Sequence, residues 1–154
     1  MKTKVLQIIV VLSLFVSCGP KPSKSIAIIT KETNTYISQV DKNSNLKEEM
    51  VEGALTDAEG FKDIGKFKYS VYFDEKTNEL IKIKNVEMTD KTISETYYFK
   101  DGNLVLIDTN LSETPNKMYI QKSKVISESK MDDATQKVLL EKAKRFQKAF
   151  QKDH

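Results

Sequence analysis

The chain has 154 residues, with 25 basic and 22 acidic side chains and a formal net charge of +3. This length suits one ordinary domain with a hydrophobic core of its own. Because charge is nearly balanced and Arg145 is the single arginine, composition excludes a nucleic-acid partner from our expectations. Cys18 is the single cysteine, so an internal disulfide is also excluded.

The first residues have the pattern of a secretory signal peptide. Lys2 and Lys4 form a basic start, and an apolar run follows from Val5 to Val16. About twelve helical residues span roughly 18 Å, which is well short of the roughly 30 Å hydrocarbon core of a bilayer. We therefore interpret residues 1–17 as a signal peptide and not as a membrane-spanning helix.

The residues Leu14-Phe15-Val16-Ser17-Cys18 resemble the lipobox of bacterial lipoproteins. In that family a diacylglyceryl group is attached to the cysteine thiol, and a peptidase cuts just before it. Ser17 provides the small residue before the cut, whereas Phe15 stands where the family usually has Leu. The resemblance implies export, lipidation of Cys18 and anchoring to the cell envelope, where we expect the outer membrane. An ordinary cleaved signal peptide followed by a stray cysteine is the alternative.

A short tether and a helix are predicted next. Residues 18–24 include Pro20 and Pro22 and read as a linker. From Ser25 to Val40, side chains suited to one helix face recur at steps of three and four: Ile26, Ile29, Thr33, Ile37 and Val40. This helix opens a single predicted domain at 25–154.

Strand patterns with a period of two follow the helix. The segment Leu46–Leu55 fits either a helix or a strand, and we favour a strand. Four clearer strands are joined by short polar turns, one of which is the hairpin signal Asp101-Gly102: Lys66–Phe73, Leu80–Met88, Thr92–Lys100 and Leu104–Ile107. Alternation in the second of these places Leu80 on the face opposite Ile83. A further strand is predicted within Met118–Ile126.

An amphipathic helix is predicted from about Ala134, capped by Asp132 or Asp133. Its apolar stripe has steps of four, three and four: Leu139, Ala143, Phe146 and Phe150. The predicted fold class is therefore α+β. It consists of an antiparallel β-meander of five or six strands, with an N-terminal helix and this C-terminal helix packed on the sheet. The hairpin sequence from Tyr97 to Leu104 resembles sequences in small uncharacterised envelope lipoproteins that share a β-meander.

Side chains for common active sites are scarce. His154, the last residue of the sequence, is the single histidine, so we do not expect a Ser-His-acid triad or a metal site built from histidines. Five acidic residues remain as candidates for an acid/base pair or for calcium ligands: Glu48, Glu49, Glu52, Asp57 and Glu59. The stretch from Asp57 to Asp63 lacks the alternating oxygen ligands of a calcium loop. We therefore predict no catalytic residues, no metal and no cofactor.

Charge is unevenly distributed along the chain. The segment from Asp41 to Asp63 is acidic, whereas the chain from Ala134 onward is basic. Two solvated faces would explain this distribution. Alternatively, the basic end lies against anionic lipid or pairs with the acidic segment.

Four tyrosines on the predicted strands suggest a binding surface: Tyr72, Tyr97, Tyr98 and Tyr119. On an outward sheet face such residues form a platform for a sugar, a peptide or a protein. The competing interpretation is that most of them fill the core beneath the helices.

These observations predict an envelope lipoprotein that is not an enzyme and that serves binding or envelope assembly. Its expected partners are the membrane, through the N-terminal lipid, and an envelope protein or glycan. A carboxylate-dependent glycan hydrolase is one alternative, and a deep cleft lined by two facing acids would favour it. An inhibitor or immunity-type protein that binds a secreted enzyme is the other.

Overall fold

The computed structural model describes residues 24–111, 116–127 and 131–154. The predicted signal peptide, the lipobox and Cys18 lie outside the described residues. The elements are α1 (Ile26–Lys42), β1 (Lys47–Thr56), β2 (Asp63–Asp74), β3 (Glu79–Met88), β4 (Thr92–Lys100), β5 (Asn103–Thr109), β6 (Asn116–Gln121), β7 (Lys124–Val125) and α2 (Asp133–Asp153). The α+β class is confirmed, and so is the strand at the ambiguous segment, now β1.

The strands form one antiparallel sheet in which each strand pairs with the next along the chain. The meander is therefore confirmed, but the strand count of five or six was wrong, because the residues that the structure describes form a sheet of seven strands. The predicted segment Met118–Ile126 divides into β6 and β7 at Lys122 and Ser123, whose φ angles are 49° and 62°. Neither residue is Gly or Asn, the usual signal for such a turn, so the division was missed.

The two helices pack on opposite faces of the sheet. Consecutive strand residues point to opposite faces, so Tyr97 and Tyr98 lie in different layers. The core beneath α2 includes Tyr97, Phe99, Ile107, Leu139, Ala143 and Phe150. The core beneath α1 includes Ile37, Val40, Tyr98 and Leu106. The result is three layers, in which the sheet is the middle one.

Two irregularities in strand pairing each place an extra apolar residue on the sheet face beneath α1. Tyr72 is opposite Lys82 whereas Phe73 is opposite Leu80, so Ile81 is an extra residue in β3. Val105 is likewise extra in β5. Such bulges disturb strict alternation. The predicted faces of β3 are therefore corrected: Leu80 shares the α2 core with Ile83, and Ile81 packs beneath α1.

Polar contacts join α1 to β3 and β4. The Tyr36 hydroxyl donates to the carbonyl of Phe99, and Lys82 pairs with Asp41 at 3.1 Å. The Ser25 side chain caps the first turn of α1. Among the described residues, no helix has both the length and the apolar character needed to cross a bilayer.

Candidate functional site

The four tyrosines predicted as a binding surface do not share one exposed face. Tyr97 is fully buried beneath α2, whereas Tyr98 is buried at 6% exposure on the opposite face, beneath α1. Burial is the main reason why the pKa values of Tyr97 and Tyr98 lie far above the ordinary value. Neither of these side chains can therefore join an outward platform, and the platform of four is corrected.

Tyr72 and Tyr119 are partly exposed, and each makes a polar contact on the α1 side of the sheet. The Tyr72 hydroxyl donates to Glu48 at 2.7 Å, and the Tyr119 hydroxyl donates to Asn34 at 2.8 Å. Burial, followed by the bond to Glu48, raises the pKa of Tyr72. Both hydroxyls connect elements of this protein, which fits a structural role.

Two carboxylates meet beneath α2, and they are not among the acidic residues expected from the sequence. Lys142 Nζ lies 2.7 Å from Glu95 Oε2 and 3.2 Å from Glu87 Oε1. The Tyr97 hydroxyl also donates to Glu95 at 2.8 Å, and Asn85 Nδ2 donates to Glu87 at 2.9 Å. We call this group of Asn85, Glu87, Glu95, Tyr97 and Lys142 the lysine clamp.

Lys142 offsets part of the negative charge of the lysine clamp, which sets one cation against two carboxylates. Glu95 is only 4% exposed. The hydrogen bond from Asn85, reinforced by Lys142, lowers the pKa of Glu87 and keeps this side chain ionised. A signal for Glu95 was present in the sequence, because alternation in β4 places it on the same face as the apolar residues Tyr97 and Phe99.

Further buried polar residues continue from the clamp across the sheet. Glu95 is opposite Thr109, and Thr109 is opposite Asn116, so these side chains share the α2 face. Thr109 is 2% exposed and Asn116 is 7% exposed. Within the described ranges, Asn116 Nδ2 is buried and has no hydrogen-bond partner. Over the described part of the chain, no group of three or more His, Cys, Asp or Glu residues is placed to hold a metal ion.

A groove of about 390 Å³ lies between α2 and the ends of the β4–β5 and β6–β7 hairpins. Its floor is apolar and comprises Phe99, Leu104, Ile120, Val125, Leu140 and Ala143. Its rim is polar and includes Lys124, Asp133, Lys137, Glu141, Lys144 and Gln147. We call this cavity the α2 groove.

Two contacts shape the rim of the α2 groove. Gln147 Nε2 donates to the carbonyl of Gly102 at 2.6 Å and joins α2 to the β4–β5 turn. Lys144 pairs with Glu141 at 2.8 Å, and this contact lowers the pKa of Glu141. The sequence offered no signal for the groove, because its walls come from hairpin ends and a helix that are distant in the chain.

The acidic candidates of the sequence do not converge on a cleft. In β1, Glu48 and Glu52 lie on one face and Glu49 on the other, while Asp57 accepts a hydrogen bond from the Phe61 amide in the following turn. His154 Nε2 lies 3.3 Å from Glu49. Among the described residues, the lysines of the basic end that form ion pairs do so with acids outside the segment 41–63.

Comparison with protein-family models, curated proteins and solved structures finds no match to this chain. The resemblance to a lipobox concerns residues outside the described part, and it stays a prediction. A function must therefore be consistent with two features of the α2 face: a lysine clamp around the buried Glu95, and an open groove.

Proposed function

We propose that this protein is an exported lipoprotein, anchored to the bacterial envelope through a lipid on Cys18, whose domain binds a ligand or partner without catalysis. The α2 groove is the observation that carries the proposal. Its volume of about 390 Å³ falls in the range of ligand pockets, roughly 300–1,000 Å³. An apolar floor with a few polar groups at the rim is the usual composition of such pockets.

The state of the carboxylates supports binding in preference to glycan hydrolysis. A glycosidase needs one carboxylic acid and one carboxylate facing a substrate across a cleft. Glu87 and Glu95 instead share one lysine beneath α2, where Glu95 is closed off from solvent. In the groove, Lys144 favours the ionised form of Glu141, which makes it a poor general acid.

The anchor can be tested by metabolic labelling with an alkyne-bearing palmitate, followed by fractionation of cells. We expect the wild-type protein to take up the label and to sediment with membranes, because acylated Cys18 contributes about 0.8 kcal/mol for each buried methylene. Cys18→Ser should lose both properties, whereas Ser17→Ala keeps a small residue and should retain them. A labelled, membrane-bound Cys18→Ser protein would refute the anchor.

Binding in the groove can be tested with a photoreactive amino acid placed at single positions on α2 in living cells. Lys137 lines the groove, while Lys148 is an exposed lysine of the same helix outside it. We expect a defined cross-linked product, measured as a mass increase of the intact protein, from position 137 only. Identical products from both positions, or no product from position 137, would contradict the proposal.

A further inference from the structure

The charges at the rim of the α2 groove are not balanced within it. Glu141 is already paired with Lys144. In the part of the chain that the structure describes, Lys124 and Lys137 have no ion-pair partner within 4 Å, and Asp133 is the remaining acid of the rim. The groove therefore has an excess of one positive charge, supplied by side chains that are available to a ligand.

The adjacent N-terminus of α2 restricts the kind of anion that fits. Helix N-termini attract phosphates when their amide groups are free. Here Asp132 accepts from the Thr135 amide at 2.8 Å, and Asp133 adds a second carboxylate in the first turn. Repulsion by these acids disfavours a doubly charged phosphate. The groove also lacks the arginine forks that recognise phosphates.

The floor of the groove restricts the body of the ligand. Phe99, Ile120 and Ala143 are each at most 3% exposed, so the apolar surface that a ligand can reach belongs to the partly buried Leu104, Val125 and Leu140. Because the Phe99 ring is covered, the floor offers no aromatic face on which a sugar could stack. The volume of about 390 Å³ lies near the lower end of the range for ligand pockets. These properties favour a small, flexible aliphatic chain.

We propose that the α2 groove binds a short aliphatic carboxylate, with its alkyl chain against Leu104, Val125 and Leu140 and its carboxylate at Lys124 and Lys137. A lysine ammonium is a compact charge that suits a single carboxylate. This inference rests on the proposed function, since it takes the groove as the binding site, and it adds the chemical class of the ligand.

The test uses the full-length protein in its own membranes and a decanoate probe that carries a diazirine and an alkyne. We expect the probe to label peptides of the groove and to be displaced by unlabelled decanoate. The double variant Lys124→Gln/Lys137→Gln should be labelled roughly fivefold less, as expected for the loss of two partly exposed charge contacts. The matched control Lys148→Gln/Lys152→Gln removes two α2 lysines outside the groove and should label like the wild type.

Two further arms make the result decisive. Lys124→Arg/Lys137→Arg retains the charge and should restore labelling, which rules out misfolding as the cause of a loss. A decanol probe of the same length should label the wild type and the double Gln variant equally weakly. Unchanged labelling of the double Gln variant, or labelling outside the groove, would overturn the inference.

The outcome also separates this inference from the proposed function. If the photoreactive residue at position 137 gives its product but the decanoate probe does not label the groove, the ligand class is wrong and groove binding stands. If both experiments fail, the proposed groove function falls together with the ligand.

Discussion

Single side chains hold α2 to the sheet through the lysine clamp. Lys142 provides the cation for Glu87 and for the buried Glu95, at 3.2 and 2.7 Å. We expect Lys142→Met to lower the free energy of unfolding by about 3 kcal/mol, because a buried carboxylate would lose its cation. Urea unfolding followed by circular dichroism measures this loss.

The control for the clamp is Lys144→Met on the same helix. The pair of Lys144 with Glu141 is exposed, so its removal should cost less than about 1 kcal/mol. Combining Lys142→Met with Glu95→Gln leaves no unpaired buried charge and keeps an acceptor for the Tyr97 hydroxyl, so it should recover much of the lost stability. Equal losses for the two lysine variants would show that burial of the clamp has no energetic consequence.

The same clamp predicts how stability depends on pH. The bond from Asn85, with help from Lys142, lowers the pKa of Glu87 below its ordinary value of 4.5. As pH falls, the unfolded chain therefore takes up this proton first. The contribution of Glu87 is present above the ordinary pKa and is lost as pH falls through the lower folded pKa.

We expect Glu87→Gln to flatten the fall in unfolding free energy that the wild type shows between about pH 6 and pH 3. Unfolding curves recorded across that range measure the effect. Glu59→Gln, in the exposed turn between β1 and β2, serves as the control and should follow the wild type. Parallel pH profiles for the wild type and Glu87→Gln would contradict this account.

At the level of elements, the β6–β7 hairpin has a turn that its residues do not favour. Lys122 and Ser123 both have positive φ, a conformation that costs residues with a Cβ roughly 1 kcal/mol or more. Lys122→Asn/Ser123→Gly should raise the free energy of unfolding by about 1 kcal/mol and the melting temperature by a few degrees.

The control for this turn is Lys76→Gly in the β2–β3 turn. Among the non-glycine residues of that turn, Asn78 is the one with positive φ, so glycine at position 76 relieves no strain and should give no gain. The melting temperatures of both variants show whether relief of the positive-φ strain or added chain flexibility changes stability. A gain of similar size at position 76 would mean that flexibility, and not turn geometry, is responsible.

For the molecule as a whole, the opposite placement of the helices implies two separate cores. Ile37 is 8% exposed in the core beneath α1, whereas Ile28 on the same helix is 49% exposed. Ile37→Ala should therefore cost about 2 to 4 kcal/mol, and Ile28→Ala less than about 0.5 kcal/mol. Denaturant unfolding compares the two, and equal small costs would contradict the packing of α1 on the sheet.

The candidate site was less accessible from the sequence than the fold. Alternation in β4 placed Glu95 among apolar residues, but nothing local indicated that Lys142 would meet it. The α2 groove combines Lys124 at the start of β7, Gly102 in the β4–β5 turn and Gln147 on α2. The positions of such residues relative to one another follow from strand register and helix placement, which short sequence patterns do not encode.

The sequence by itself determined both helices and the strands from β1 to β5, because period-two alternation and the stripe of Leu139, Ala143, Phe146 and Phe150 are local signals of burial; it did not determine the division into β6 and β7. It also supplied the lipidation site predicted at Cys18. Only the tertiary structure decided that α1 and α2 cover opposite faces, that Ile81 and Val105 are extra residues, and that a groove opens beside α2. The physical reason is that these features depend on contacts between residues far apart in the chain, such as Lys142 with Glu87, and on how whole surfaces fit together.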